Sequence, residues 1–301
     1  MKIYDNIADI PFTERGIISI GTFDGLHRGH RKIIDRLIEA GSETGRATFV
    51  ITFSNHPFEV LRPHELPDQI ACLDYKINFF RKKGINHLVL IKFTEDFAAR
   101  SHQDFFADLS AKYGDIRMIL GDDFRFGRDN LGDIQYLKDM SRHSAFSLEI
   151  INRSSVSDGM VSSSRIRELI RAGNLELAAD YLERHYFMEG VIERGERLGR
   201  QIGFPTVNIS NNVQVRPKNG VYKSRVEIDD NLYPSMTFVG EKSLSGLSHP
   251  VIETHIFNFN REIYQKKIRV HFIRRIRDEM KFRTLDDLKA QLEKDKVIAQ
   301  G

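Results

Sequence analysis

The spacing of apolar and polar positions along the chain changes once, near residue 185. Before that point, continuous apolar runs (GIISI, ATFVITF, HLVLIKF, IRMILGD and FSLEII) alternate with segments of helical periodicity (RKIIDRLIEAG, LDYKINFFRKKG, HQDFFADLSAKYG and IQYLKDMSRH). Apolar strands separated by helices are typical of βαβ units, so the pattern predicts a doubly wound parallel sheet covered on both faces. Gly41, Gly84 and Gly114 are predicted to lie where helices end.

Beyond residue 185 the pattern alternates with a period of two. The segments FMEGVIERG, VYKSRVEI, VIETHIFNF and KKIRVHFI are separated by Gly, Asn, Asp and Pro. This alternation predicts antiparallel strands that form a barrel or a sandwich. A last helix is predicted from Thr284, because TLDD resembles a capping box and Leu285, Leu288 and Leu292 share one helix face.

Composition fits two globular domains, predicted at residues 1–184 and 185–301. The chain has 301 residues, of which 41% are hydrophobic and 29% charged. Its 45 basic residues nearly balance 42 acidic ones, which argues against a nucleic-acid partner. Without an apolar run of about 20 residues or a secretory signal, the sequence predicts a cytoplasmic protein with no membrane partner. Cys72 is the single cysteine, so no internal disulfide is expected.

The first candidate site is GTFDGLHRGH, residues 21–30, which follows the apolar run GIISI. Open α/β sheets bind ligands at the carboxyl ends of their strands, and the amides of the following helix favour an anion. His27 and His30 are three residues apart, so both can donate hydrogen bonds to oxygens that gain charge in a transition state. The same pair is also compatible with metal ligation or with two ordinary surface histidines.

This decapeptide resembles the G-x-F-D-G-x-H-x-G-H signature of the nucleotidyltransferase superfamily. These enzymes let a phosphate attack the α-phosphorus of ATP and release pyrophosphate. VSSSRIRELI is similar to the I-S-S-T-x-I-R segment of the same enzymes, although by itself it is compatible with a capped surface helix. The resemblance implies that His27, His30 and Arg167 are catalytic, with Arg167 pairing with the departing phosphates. It also implies nucleotide contacts from Gly21, Phe23, Asp24, Gly25, Ser162, Ser163 and Ser164.

Two further stretches resemble the loops that build the flavin side of the site in bacterial FAD synthetases. They are TFSNHPFEVL, in which Asn55 replaces the usual proline, and GDDFRFGRDNLGD. Asp123 matches an acidic or amide position near metal and nucleotide, although it can equally cap its own turn. The resemblance implies flavin contacts from Asn55, His56, Pro57, Asp123, Phe124 and Phe126.

The second candidate site is GERLGRQIGFPTVNI, residues 195–209. Thr206 and Asn208 are two apart on one strand face, so they can offer oxygens to the Mg²⁺ of ATP. An ordinary glycine-rich hairpin is the alternative. The string resembles the G-x-x-x-G-R-x-L-G-F-P-T-A-N signature of riboflavin kinases. That resemblance implies nucleotide contacts from Gly195, Gly199, Gly203 and Pro205.

The rest of the second half is similar to the same kinases. PVIETHIFNF matches the strand with the catalytic glutamate, so Glu253 is expected to accept the proton of the riboflavin 5′-hydroxyl. The closing segment, IRRIRDEMKFRTLDDLKAQLEKD, also resembles that of these kinases. This resemblance implies that Arg277 and Phe282 help to cover the flavin. Over nearly its whole length, the chain is identified as a member of the bacterial bifunctional riboflavin kinase/FMN adenylyltransferases. This implies a parallel-sheet nucleotidyltransferase domain, then an antiparallel β-barrel kinase-like domain with a C-terminal helix. The implied substrates are ATP, riboflavin and FMN.

The kinase half departs from that pattern in two places. SMTFVGEKSLSG keeps Gly240 but lacks the family's Asn and Pro-Thr, and Gln265 stands where a glycine is usual. If Gln265 has a positive φ, a glutamine there is strained. Two alternatives therefore stay open: an adenylyltransferase with an inactive kinase-like domain, or a flavin-sensing binding protein.

Overall fold

The structure is a computed structural model, and its chain divides into two compact units. It describes residues 1–10, 13–142, 146–152, 161–193, 199, 202–211, 213–244 and 247–301. The first unit comprises Met1–Pro67 and Cys72–Ser162, and the second comprises Asp68–Ala71 and Ser163–Gly301. The domain boundary after residue 184 stays a prediction. No helix in these ranges is long and apolar enough to cross a membrane.

The described part of the first unit contains a six-stranded sheet in which all neighbouring strands are parallel. Its strands follow the order β1-β4-β3-β2-β5-β8. Strands β6 and β7 pair separately as a short ribbon. The bounds are β1 Lys2–Tyr4, β2 Thr13–Ile20, β3 Ala47–Phe53, β4 His87–Ile91, β5 Tyr113–Gly121, β6 Arg125–Phe126, β7 Gly132–Asp133 and β8 Phe146–Ile151. Strand order reverses between β2 and β5, and such switch points are where open α/β sheets bind ligands.

Helices cover both faces of this sheet, as predicted. Ile17 and Ile18 are neighbours on β2, yet they belong to separate buried clusters, because successive strand residues point to opposite faces. The helices are α1 Arg28–Thr44, α2 Phe58–Leu61, α3 Leu73–Lys82, α4 Glu95–Ala99, α5 His102–Lys112 and α6 Ile134–Ser141.

One predicted helix end is wrong. Helix α1 continues through Gly41 and stops at Gly45, whose φ is +67°. Gly41 instead lies against Thr48, where an added Cβ would come within 2.6 Å of the threonine methyl. The glycine therefore serves close helix–strand packing. Gly84, with φ +82°, does follow the end of α3.

The second unit contains a closed antiparallel barrel, which confirms the predicted fold class and decides for a barrel over a sandwich. Its strand order is β10-β13-β12-β11-β14-β9. The strands are β9 Tyr186–Glu193, β10 Val207–Ser210, β11 Gly220–Ile228, β12 Asn231–Leu244, β13 Leu247–Ile256 and β14 Lys267–Arg277. The helices are α7 Ser163–Ala172, α8 Leu175–Leu182 and α9 Leu285–Gln300. As predicted, Thr284 caps α9 and accepts a hydrogen bond from the Asp287 amide at 3.1 Å.

Buried hydroxyl groups show which side chains of the central barrel strands point inward. Ser224 is 2.8 Å from both Ser235 and Thr237, and Thr237 is 2.9 Å from Thr254. These side chains are at most 2% exposed, so they satisfy one another inside the barrel. Because Thr254 points inward, its neighbour Glu253 on β13 points to the outer side.

Candidate active sites

The turn between β2 and α1 places two imidazole rings at the start of a helix. His27 is the N-cap of α1, and its Nδ1 accepts a hydrogen bond from the His30 amide at 3.4 Å. The two rings stack with centroids 3.7 Å apart and an interplanar angle of 19°. His27 is only 3% exposed. Because its Nδ1 accepts, a neutral His27 carries its ring proton on Nε2, where it can be donated to an anion.

The residues before the histidines form a tightly bent backbone. Phe23 and Leu26 have φ near +50°, a left-handed conformation that is unusual for side-chain-bearing residues. Both side chains are buried in the core under α1, and the Phe23 ring lies edge-on to His30 at 5.4 Å. Asp24 is also buried. Burial of these side chains in the core therefore fixes the bend, which also contains Gly21 and Gly25, at the carboxyl end of β2.

The predicted flavin loops follow the two strands beside β2. Asn55, His56 and Pro57 come after β3, whereas Asp123, Phe124 and Phe126 come after β5. Because β3, β2 and β5 are adjacent and parallel, all three loops lie at one edge of the sheet. The structure thus brings the first unit's predicted residues to the same edge.

These loops differ in what their side chains do. The rings of Phe124 and Phe126 stack 5.4 Å apart and pack against the core, while Asp123 is exposed. The His56 ring accepts a hydrogen bond from the Phe58 amide at 3.1 Å, which stabilises the start of α2.

Lys76, on α3, lies at the same edge of the sheet but belongs to none of the sequence motifs. Its ammonium group lies 3.4 Å from the Thr22 carbonyl and 3.5 Å from the Phe53 carbonyl, at the ends of β2 and β3. Burial lowers the pKa of this lysine, and the Asp24 carboxylate partly opposes that effect. No motif marks it, because a single lysine in an amphipathic helix normally faces solvent.

The segment with Ser162, Ser163, Ser164 and Arg167 crosses from one unit to the other. Ser162 ends the first unit, and α7 begins at Ser163 in the second. Arg167 is 7% exposed, and its Nε donates to the Asp68 carbonyl at 2.8 Å, within the second unit. Its contact with phosphates stays a prediction.

The second unit has a cavity of about 240 Å³ beside the barrel. Six predicted kinase residues lie in its wall: Gly199, Thr206, Asn208, Glu253, Arg277 and Phe282. Most of the remaining wall is apolar, formed by Ile202, Phe204, Val221, Met236, Phe238, His255, Met280, Leu288 and Leu292. Leu285, predicted to share a face with Leu288 and Leu292, is 48% exposed. Gly203 and Pro205 lie between Gly199 and β10, and Gly195 lies outside the described residues.

Asn208 and Glu253 lie directly opposite each other on β10 and β13. Directly opposed residues of antiparallel strands have their Cβ atoms about 5 Å apart. With Thr206 in the same cavity wall, they present oxygen groups of the kind that Mg²⁺ accepts. Within the described residues, no cluster of three or more His, Cys, Asp or Glu could hold a metal alone. One carboxylate, one hydroxyl and one amide oxygen suit a Mg²⁺ ion that takes its remaining ligands from nucleotide phosphates and water.

The turn after Gly199 is held against the strand that carries Glu253. The Phe204 amide donates to the Gly199 carbonyl at 2.8 Å, and a Cβ on Gly199 would overlap the Phe204 carbonyl oxygen. His255 donates from Nδ1 to the Pro205 carbonyl at 2.8 Å. Burial lowers the pKa of His255, because it disfavours the charged form of the ring.

Comparison with known proteins assigns both units. Residues 9–165 match the family model described as FAD synthetase, and residues 182–301 match the one described as riboflavin kinase. The chain belongs to the bifunctional riboflavin kinase/FMN adenylyltransferase family. The Bacillus subtilis relative of that name is 33% identical over 95% of this chain and 92% of the relative. The relative of the same name from Escherichia coli K12 is 30% identical over 98% of this chain and 95% of the relative. A crystal structure described as a macrolide-efflux protein from Streptococcus pneumoniae has the same fold, with TM-score 0.89, 29% identity and coverage of 99% and 98%.

Both departures of this member of the bifunctional family can be located. Gln265 has φ +63°, so the condition for strain is met. It lies in an exposed turn and is not among the residues that line the cavity. The stretch with Gly240 continues β12, which pairs with β13 from Ser235 to Leu244. A Cβ at Gly240 would overlap the Phe238 ring, which lines the cavity. The retained glycine thus leaves room for a wall residue.

Proposed function

We propose that this chain makes FAD from riboflavin in two ATP-dependent steps, one in each half. Full-length similarity to the bifunctional family supports both activities. The observation that carries the kinase assignment is the cavity in which Asn208 and Glu253 face each other from neighbouring strands. We expect both steps to take place in the cytoplasm, with small molecules as the only substrates.

In the first step, the riboflavin 5′-hydroxyl attacks the γ-phosphorus of ATP and ADP leaves. Glu253 accepts the hydroxyl proton, and the apolar wall excludes water from the flavin. Thr206 and Asn208 are the residues that would hold the Mg²⁺ of MgATP, which would neutralise phosphate charge. The nucleotide is expected to contact Gly199, Gly203 and Pro205, and also Gly195. The flavin is expected to contact Arg277 and Phe282.

In the second step, the FMN phosphate attacks the α-phosphorus of another ATP, and pyrophosphate leaves. His27 and His30 donate hydrogen bonds to the phosphate oxygens at the start of α1, where the helix dipole also favours negative charge. Arg167 is the expected partner of the departing pyrophosphate. The loops with Asn55 and Asp123 are expected to bind the flavin and nucleotide. The mechanism needs no covalent enzyme intermediate, because positioning and charge neutralisation suffice.

Chromatography of the products tests the proposal. The full chain is incubated with ATP and Mg²⁺, with riboflavin in one reaction and FMN in another. We expect FMN and FAD from riboflavin, and FAD from FMN. FAD from FMN alone would reduce the function to an adenylyltransferase. If neither reaction yields a product while flavin fluorescence titrations show binding, the protein is a flavin-binding module and the proposal is wrong.

A further inference from the structure

A fully buried carboxylate lies behind the cavity of the second unit. Asp295, on α9, has no exposed surface. Arg277 Nε is 3.0 and 2.9 Å from its two oxygens, and Arg277 Nη2 is 2.7 Å from Oδ2. Gln291 donates to Oδ1 at 2.8 Å. Both carboxylate oxygens therefore have charge-assisted or amide partners, as a buried charge requires.

The arginine in this pair belongs to the cavity wall. Arg277 is the last residue of β14, and its guanidinium lies 5.8 Å from the centre of the Phe282 ring, another wall residue. Its Nη1 donates to the Asp278 carbonyl at 2.9 Å. Each of its three nitrogens thus has a fixed partner, so the group cannot turn without breaking the buried ion pair.

This bonding pattern leaves donors for a ligand. A guanidinium has five N–H groups, and the bonds to Asp295 and Asp278 use one on each nitrogen. Within the part of the chain that the structure describes, one N–H on Nη1 and one on Nη2 make no hydrogen bond to the protein. A flat cation with two oriented donors, beside an aromatic ring, suits a planar heteroaromatic ligand with carbonyl acceptors.

Stability alone is a weak reason for such a pair. Buried ion pairs often stabilise a fold no better than apolar side chains of similar size, because both charges must leave water. We propose that Asp295 is a positioning residue that fixes the Arg277 guanidinium in the wall of the riboflavin cavity. The inference rests on the proposed kinase function for the identity of the ligand. Through this contact, helix α9 contributes to flavin affinity.

The test compares Asp295→Asn with Asp286→Asn in the full chain. Asp286 is an exposed carboxylate in the first turn of the same helix. We expect Asp295→Asn to raise the KM for riboflavin at least about tenfold, because small displacements of a positioning group are costly. The KM for MgATP should stay within about twofold of wild type, and FAD formation from FMN should not change. Asp286→Asn should match wild type throughout.

The KM separates positioning from a purely structural role. Loss of folded protein lowers the apparent kcat without changing the KM for riboflavin. An unchanged riboflavin KM in Asp295→Asn, or an equal rise in Asp286→Asn, overturns the proposal. If Asp295→Asn does not fold, Asp295→Glu keeps the charge but displaces the carboxylate by one methylene group. A raised riboflavin KM then supports the proposal, and a wild-type KM overturns it.

Failure of the proposed function would be seen separately. If wild-type protein does not phosphorylate riboflavin, the kinase assignment fails. The inference about Asp295 is then decided by titration with riboflavin, followed by its fluorescence. Weaker binding by Asp295→Asn than by Asp286→Asn supports positioning, whereas equal binding overturns it.

Discussion

Replacing Gln265 with glycine should stabilise the barrel unit. Gln265 is the third residue of a turn closed by the Lys266 amide and the Ile263 carbonyl at 3.2 Å, and its φ is +63°. A left-handed conformation costs a side-chain-bearing residue about 1–2 kcal/mol. Glycine removes that strain but loses about 0.5–1 kcal/mol through the greater freedom of its unfolded chain. The difference between these two ranges is about 0–1.5 kcal/mol, so we expect a gain in the free energy of unfolding near its midpoint, roughly 0.7 kcal/mol.

Glu262→Gly is the matched control. Glu262 is exposed in the same loop between β13 and β14, and it is not among the residues with positive φ. Glycine there relieves no strain and only adds freedom to the unfolded chain. We therefore expect a loss of about 0.5–1 kcal/mol, opposite in sign to the effect at Gln265.

Hydrogen exchange at increasing urea measures the effect in the right unit. Peptides from β9 and β14 report the unfolding of the barrel, so the first unit does not mix into the result. The Gln265 amide donates to the Ile192 carbonyl at 3.2 Å, and glycine keeps that bond. Equal or lower protection in Gln265→Gly than in wild type would refute the reasoning. So would changes of the same sign in both variants.

The remaining predictions concern the two reactions and pH. Glu253→Gln should lower kcat for riboflavin phosphorylation by about 10²- to 10⁴-fold, measured by chromatography, and leave FAD formation from FMN unchanged. His27→Ala should abolish FAD formation from FMN and spare riboflavin phosphorylation; a loss of both activities in either variant would contradict separate sites. Burial lowers the pKa of His255 and His271, so the unfolded state binds more protons in acid. The contribution of these two histidines to the free energy of unfolding of the barrel should thus be fully present above about pH 6.5. It should fall as the pH drops from there towards their lowered pKa values. Hydrogen exchange at increasing urea, repeated at several pH values, measures this fall. In His255→Asn the free energy of unfolding should depend less steeply on pH.

The fold could be predicted because its signals are local. Apolar runs of strand length and helix-length spacers determine the parallel sheet, and period-two segments indicate the barrel. Local signals fail where the cause lies far along the chain. Gly41 looks like a helix stop, but its packing against Thr48 requires a glycine inside the helix. Asp295 looks like one more acidic residue of an amphipathic helix until barrel closure brings Arg277 to it.

Asn55 shows how a motif gives the place of a residue but not its task. The resemblance puts Asn55 in the flavin loop, at a position where proline is usual. In the structure its amide group bridges the backbone of Phe93, donating to the carbonyl at 3.1 Å and accepting from the amide at 2.8 Å. A proline has no side-chain group for either bond, so here the loop after β3 is fixed to the loop after β4 by different chemistry. A short motif survives such an exchange because the sheet edge, rather than the residue itself, sets where the loop lies.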